Sequence, residues 1–325
     1  MLHRGTARFT TAAILDAETR LLDAGRDLTG PATTADSITG ADSSLGPDQR
    51  SAVTAIATSG RVLDVLVGPA GSGKTTSLSA LKRAWETTHG PGSVIGLAPS
   101  AAAAQVLADE LGIATDNTAK WLHEQEHHAQ RRDRIAELTG RLVGTRNRGS
   151  VWSRRIETER LRLETELDRW TLRPGRLLII DEATLAGTVT LDTIATSARE
   201  AGAKVVLVGD WAQLGAIEAG GAFHMLATDR TDTPHLTDVH RFTGTWEAAA
   251  SLRLRSGDRS VIDDYLAHDR IHSGETSGML HALFDAWHTD TQAGLDSPHD
   301  RPRRELRPRP QRPRPSPAPR RRTDR

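Results

Sequence analysis

Lys74 and Thr75 close the run Gly68-Pro69-Ala70-Gly71-Ser72-Gly73-Lys74-Thr75-Thr76, which follows the apolar stretch VLDVLV and precedes SLSALKRAW, a segment of helical spacing. The pattern G-x-x-x-x-G-K-[ST] between a strand and a helix is that of a loop that cradles phosphate. Its glycines let backbone N–H groups wrap the anion, and the helix behind it turns its positive dipole end toward the charge. Lys74 would neutralise the β- and γ-phosphates, and Thr75 would place its hydroxyl on Mg²⁺. These residues predict a nucleotide site.

Two further stretches offer the groups such a site needs. In LLIIDEAT (177–184), Asp181 ends a buried strand, where a carboxylate can hold Mg²⁺ directly or through water. Glu182 beside it can orient or deprotonate an attacking water. A strand end followed by a charged helix start would read the same, but hydrolases of nucleoside triphosphates need this pair and small-molecule kinases seldom do. In VVLVGDWAQLGAI (205–217), Gln213 could sense a γ-phosphate while Asp210 supports the loop; an ordinary strand-to-loop turn explains that stretch equally well.

The elements that must position these residues follow an alternating pattern. Apolar runs at 62–67, 93–98, 176–180 and 204–209 are short, rich in β-branched residues and without polar alternation. That is the mark of strands buried on both faces of a parallel sheet. Helical segments lie between them, so the expected fold class is α/β, a mainly parallel sheet flanked by helices, with ligands at the carboxyl ends of the strands. Residues 45–230 form this unit. It is interrupted at about 120–172 by a helical insertion in which Ile156, Leu163, Leu167 and Trp170 share one stripe; a packed hairpin or a DNA-contacting subdomain both suit that pattern. Residues 1–44 read as one helix, TAAILDAETRLLDAGRDL, and a Gly/Thr/Ser/Asp-rich linker. Residues 231–292 show further helical patterns.

The formal net charge of zero hides an asymmetry: residues 301–325 hold 11 Arg against 2 acids. From Ser297 onward the chain carries 8 of its 15 prolines and almost nothing apolar, so 293–325 is expected to be a disordered Arg/Pro-rich tail. The absence of cysteine excludes disulfides, thiolate metal sites and cysteine nucleophiles. No apolar run reaches the length of a membrane helix and no secretory leader is seen, which leads to an expectation of a cytoplasmic protein. His127 and His128 read as surface side chains of a charged helix.

Taken in order, GPDQRSAV (46–53), the phosphate loop, IGLAPSAAAAQVL (95–107), TDNTAKWL (115–122), DEAT and GDWAQL resemble the motifs of a superfamily 1 DNA helicase of the RecD-like type. FTTAAILDAETRLLDA, TAKWL, GDWAQLGAIEAGGAF and LTDVHRFTGTWEAAASLRLRSGD are similar to the helicase portion of MobF-type conjugative relaxases, over roughly residues 8–292. The resemblance implies a RecA-like P-loop NTPase core that binds ATP and Mg²⁺ and an ATPase that moves on single-stranded DNA, with conjugation machinery as a partner. It implies that Gln49 reads the adenine and that Gly68, Pro69, Ala70, Gly71, Ser72, Gly73, Lys74, Thr75 and Thr76 hold the nucleotide. Asp181 and Glu182 would then be the metal and water-activating carboxylates, Gln213 the coupling residue, and Arg241 in DVHRF an arginine reaching the γ-phosphate. Pro99, Ser100 and Thr118 fall in segments that contact single-stranded DNA; Trp121 would either stack a base or be buried against the insertion.

Residues 231–292 match only the opening of a second RecA-like domain, and later helicase motifs are not found. Tyr265 is the sole tyrosine, and no His-x-His pair is present, so the resemblance does not carry DNA nicking to this chain. The expectation is a motor domain truncated at both ends, its tail read from a shifted frame; a genuine basic arm for DNA is the rival for the tail. The alternative for the whole is a non-catalytic remnant that binds ATP and DNA without helicase activity.

Overall fold

The computed structural model describes residues 10–39, 45–143, 151–213, 221–242 and 244–294. The chain divides into two compact units, residues 1–259 and 260–325. The tail expected over 293–325 lies, from 295 onward, outside the described residues, as do residues 40–44 of the expected linker.

The first unit is built on a five-stranded parallel sheet. In chain order it runs α1 (Ala12–Arg26), α2 (Ala35–Thr39), α3 (Pro47–Thr58), β1 (Leu63–Val67), α4 (Lys74–His89), β2 (Val94–Ala98), α5 (Ala101–Leu111), β3 (Ala114–Asn117), α6 (Thr118–Glu126), α7 (His128–Val143), α8 (Val151–Trp170), β4 (Leu177–Ile180), α9 (Thr188–Glu200), β5 (Lys204–Gly209), α10 (Ala222–Asp229) and α11 (Thr245–Arg255). The strands lie in the order β1-β5-β4-β2-β3. Register is set by pairs such as Val65 with Leu207, Ile179 with Val206 and Ile95 with Leu178.

Continuous apolar strands are required because each face of the sheet feeds a separate core. Leu178 and Ile180 pack with Leu21 and Ala24 of α1, Leu191 and Ile194 of α9, and Phe223 and Leu226 of α10. Their neighbours Leu177 and Ile179 face Val53 and Ile56 of α3, Leu78, Leu81 and Trp85 of α4, and Leu107 of α5. Successive side chains of a strand point to opposite faces, so one four-residue strand serves both layers. The α/β class expected from sequence is the observed one.

Two placements go beyond the sequence pattern. β3, with the sequence ATDN, lacks an apolar signal and forms beside β2, where Thr115 Oγ1 donates to Ala104 O at 2.7 Å. α1, read from sequence as outside the ATPase unit, packs into the same core, and Arg20 holds Asp192 of α9 through Nε at 3.0 Å and Nη2 at 2.6 Å. Thr11 caps its start by accepting from Ile14 N.

The insertion comprises α6, α7 and α8. It is rooted by Trp121 and Trp170, both members of the core around β2 and β4, and Arg134 of α7 reaches Glu159 of α8 at 2.9 Å. Ile156 and Trp170 of the expected stripe are buried, while Leu163 and Leu167 are half-buried.

After α10 the chain returns to the end of β1. Val67 N donates to Pro234 O at 3.0 Å and Leu236 N to Val67 O at 2.8 Å, a parallel bridge that continues the sheet. Residues 231–259, expected to open a second domain, lie within the first unit. The second unit contains α12 (Val261–Ala267) and α13 (Thr276–Gln292). Among the described residues no helix is long and apolar enough to cross a membrane.

Candidate nucleotide site

The loop from Gly68 to Thr76 joins β1 to the 16-residue helix α4, which begins at Lys74. Gly71 and Gly73 have φ of 80° and 78°, values that side chains other than glycine rarely adopt. Space forbids a side chain as well. A Cβ on Gly71 would stand 2.3 Å from Cβ of Arg241, and one on Gly73 would stand 2.1 Å from Nε2 of Gln49. Buried Ser72 folds the loop on itself, its Oγ donating to Pro69 O at 2.9 Å. Lys74 Nζ lies over the loop and donates to Gly68 O at 3.0 Å. The first N–H groups of α4 have no intrahelical acceptor, so its N-terminus favours an anion.

The loop forms one wall of a cleft of ≈ 760 Å³ lined by Gly46, Gln49, Gly71, Gly73, Lys74, Thr75, Thr76, His240 and Arg241. That volume falls within the usual range for small-molecule sites. Pro69 is buried and Ala70 exposed at the loop's turn. Gln49 braces the cleft from α3: its Oε1 accepts from Gly46 N at 3.0 Å and its Nε2 donates to Ser72 O at 3.3 Å. Arg241 is brought to the loop by backbone, since His240 N donates to Gly71 O at 2.8 Å. Asp48 steadies the same approach by accepting from Thr237 N and Asp238 N at 3.0 and 3.2 Å.

Asp181 is the first residue past β4, and its N donates to Leu97 O at 2.9 Å. One of its carboxylate oxygens, Oδ1, is buried without a hydrogen-bond partner. Burial pushes this carboxyl above the ordinary carboxylate range. The charges of Glu182 and Glu110 push the same way, while the Glu182 N–H and the Lys74 ammonium oppose them. Glu182 itself has φ 49° and ψ 39°, a left-handed backbone that costs a non-glycine residue about 1–3 kcal/mol and concentrates at functional sites. Thr75 Oγ1 donates to Glu110 Oε2 at 2.9 Å. Oxygen donors of this kind, the unpartnered Oδ1 of Asp181 above all, suit a hard divalent cation such as Mg²⁺.

The GDWAQ stretch is organised by a residue that motif reasoning missed. Asp210 is 2% exposed and is gripped by Arg255 of α11, whose Nε and Nη2 reach Oδ1 at 2.9 and 2.6 Å. Burial alone would raise the Asp210 carboxyl, but the Arg255 hydrogen bonds, the Ala212 N–H and the charges of Arg255 and Lys74 hold it below the ordinary range. Gln213 N donates to Asp210 O at 3.0 Å, and the Gln213 side chain is exposed. Arg255 also lies over the Trp211 ring at 4.9 Å. Residues 214–220 of that stretch lie outside the described residues.

The residues expected to meet DNA separate into two groups. Pro99 and Ser100 stand at the carboxyl end of β2, where exposed Ser100 caps α5 by accepting from Ala103 N at 3.1 Å. Thr118 opens α6 just past β3 and is buried. Trp121 is 0% exposed within the core, so the base-stacking option is corrected: its ring is spent on anchoring the insertion.

Comparison with known proteins places this geometry in a family. The AAA domain family matches residues 44–276. The probable conjugal transfer protein TraA of Sinorhizobium fredii is 30% identical over 250 residues, covering 76% of this chain and 19% of that protein. The conjugal transfer protein TraA of Rhizobium radiobacter is 31% identical over 251 residues, covering 76% and 18% respectively. The chain thus spans about a fifth of the length of these relatives, and the resemblance to conjugative relaxases drawn from its motifs is borne out. The crystal structure of Pif1 helicase from Candida albicans is similar over 71% of this chain and 49% of that one, at 21% identity and a TM-score of 0.43.

Proposed function

We propose that this chain, which belongs to the AAA domain family, is a nucleotide-driven motor domain that binds ATP with Mg²⁺ and couples its hydrolysis to movement on single-stranded DNA. The observation that carries the reading is a pair of features at the carboxyl ends of two strands of one parallel sheet, β1 and β4. A loop whose left-handed glycines leave no room for side chains follows β1 and presents Lys74 and the start of α4, and Asp181, with an unpartnered buried oxygen, follows β4.

In this reading the backbone of residues 68–76 wraps the phosphates, and Lys74 leaves Gly68 O to meet their charge. Thr75 and Asp181 would hold Mg²⁺, which when bound neutralises the phosphate oxygens as charge shifts during transfer. Glu182, fixed in its strained backbone, orients the attacking water. Gln213, tied to Asp210, senses the γ-phosphate, and Arg241 reaches it from beyond α10. Gln49 reads adenine with the hydrogen-bonding capacity left after bracing the loop. Pro99 and exposed Ser100 meet DNA at the same carboxyl edge of the sheet, with buried Thr118 at the start of α6 shaping that edge instead of presenting a free side chain. The motor unit is read as residues 45–230, with its insertion at about 120–172 and the opening of a second RecA-like domain over 231–292; the names of the relatives point to conjugal transfer as its setting.

The test is ATP hydrolysis by the purified chain, with and without single-stranded DNA, beside Lys74→Ala and Glu182→Gln. DNA-stimulated turnover that both substitutions abolish is the expected result. ATP binding without turnover would establish the non-catalytic alternative, and failure to bind ATP would overturn both.

A further inference from the structure

Glu110 lies near the end of α5, three residues past the segment 95–107 and within none of the motifs, and its carboxylate accepts the Thr75 hydroxyl hydrogen bond at 2.9 Å. Thr75 at the start of α4 and Glu110 on α5 are thus joined from two separate elements. A hydroxyl whose proton is committed to a carboxylate turns its lone pairs elsewhere and becomes a stronger ligand. Lys74 and the helix dipole at this same terminus favour an anion, so the negative charge beside the Thr75 hydroxyl is the one from Glu110.

We propose that Glu110 is a positioning residue for the divalent cation that accompanies the nucleotide: it holds the Thr75 hydroxyl by its proton and leaves the Oγ1 lone pairs free for the cation. This rests on the nucleotide reading above and deepens it, because it makes cation affinity depend on the placement of α5 as well as on the loop and β4.

The experiment measures the affinity of N-methylanthraniloyl-ADP by fluorescence anisotropy in EDTA and in saturating Mg²⁺. The quantity read is the ratio of the two dissociation constants, which is the coupling between cation and nucleotide. Glu110→Ala should reduce that ratio roughly tenfold, the loss usual when a partner of a metal ligand is removed. Glu110→Gln, which keeps an acceptor for Thr75 but no charge, should give a smaller fall, and being isosteric it keeps the test alive if the alanine variant does not fold. General damage to the cleft weakens binding in both media and leaves the ratio in place. An unchanged ratio in both variants, with the wild type binding normally, overturns this inference alone; no binding by the wild type in either medium overturns the nucleotide reading and this inference with it.

Discussion

Asp181 shows how a single residue can be shaped against stability. Its carboxyl is raised by burial and by Glu182 and Glu110, so the folded chain holds a proton there more tightly than the unfolded chain does. The penalty is absent below the unfolded pKa and grows to its full size as pH rises through the folded one. Asp181→Asn should therefore raise the unfolding temperature of the nucleotide-free chain at neutral pH while removing the Mg²⁺ dependence of nucleotide binding. Thermal unfolding followed across pH checks this, and a substitution that lowers stability at neutral pH would contradict it. Gly73→Ala should act the other way. Left-handed backbone costs a non-glycine residue about 1–2 kcal/mol, and the new methyl would drive into the Gln49 amide. The expected outcome is a destabilised chain with weakened nucleotide binding, read by unfolding and titration. Both residues stand out in sequence by motif spacing. Arg255 and Glu110 do not, since their partners Asp210 and Thr75 lie 45 and 35 positions away and no local pattern links them.

At the scale of elements, the four apolar strands were legible because burial on both faces forbids polar alternation. β3 was not, since a short edge strand needs no apolar run; its Thr115 and Asp116 gain order from β2 and α5. α1 shows the opposite failure. Its helical stripe was readable, but nothing local says that it packs on α9 and α10 instead of leading a linker. Leu21, fully buried in that contact, provides the measurement: Leu21→Ala should cost about 2–5 kcal/mol in denaturant unfolding. A change near zero would mean that α1 is dispensable to the core. Trp121 carries a related lesson. Its sequence context allowed either a base-stacking platform or burial against the insertion, and helical spacing could not separate those fates; in the fold its ring serves the root of the insertion.

For the molecule as a whole, the parallel sheet gathers what the chain keeps far apart. The phosphate loop follows β1, Asp181 ends β4, Asp210 follows β5 and Ser100 follows β2, so four strands deliver chemistry to one edge. The opposite end of β1 and β5 is closed by an ion pair that no motif announces. Lys204, 0% exposed, donates to Asp64 at 2.7 Å, Ser59 at 2.8 Å and Arg61 O at 2.9 Å. Removing one partner of a buried pair leaves the other charge uncompensated at a cost of about 3–5 kcal/mol. Asp64 keeps Arg230 at 3.1 Å, so the substitution that strands a buried charge is Asp64→Asn, which leaves the Lys204 ammonium without its carboxylate. That variant should unfold at markedly lower denaturant with the cleft residues untouched, and an unchanged midpoint would assign the pair no structural weight. The account as a whole stands on phosphate being held at the other edge, and calorimetric titration of Mg²⁺-ATP into the wild-type chain and Lys74→Ala tests that most directly. Saturable one-site binding, weakened roughly tenfold or more by loss of a charged hydrogen-bond donor, is the result predicted; equal affinity in the two proteins, or heat from neither, would contradict it.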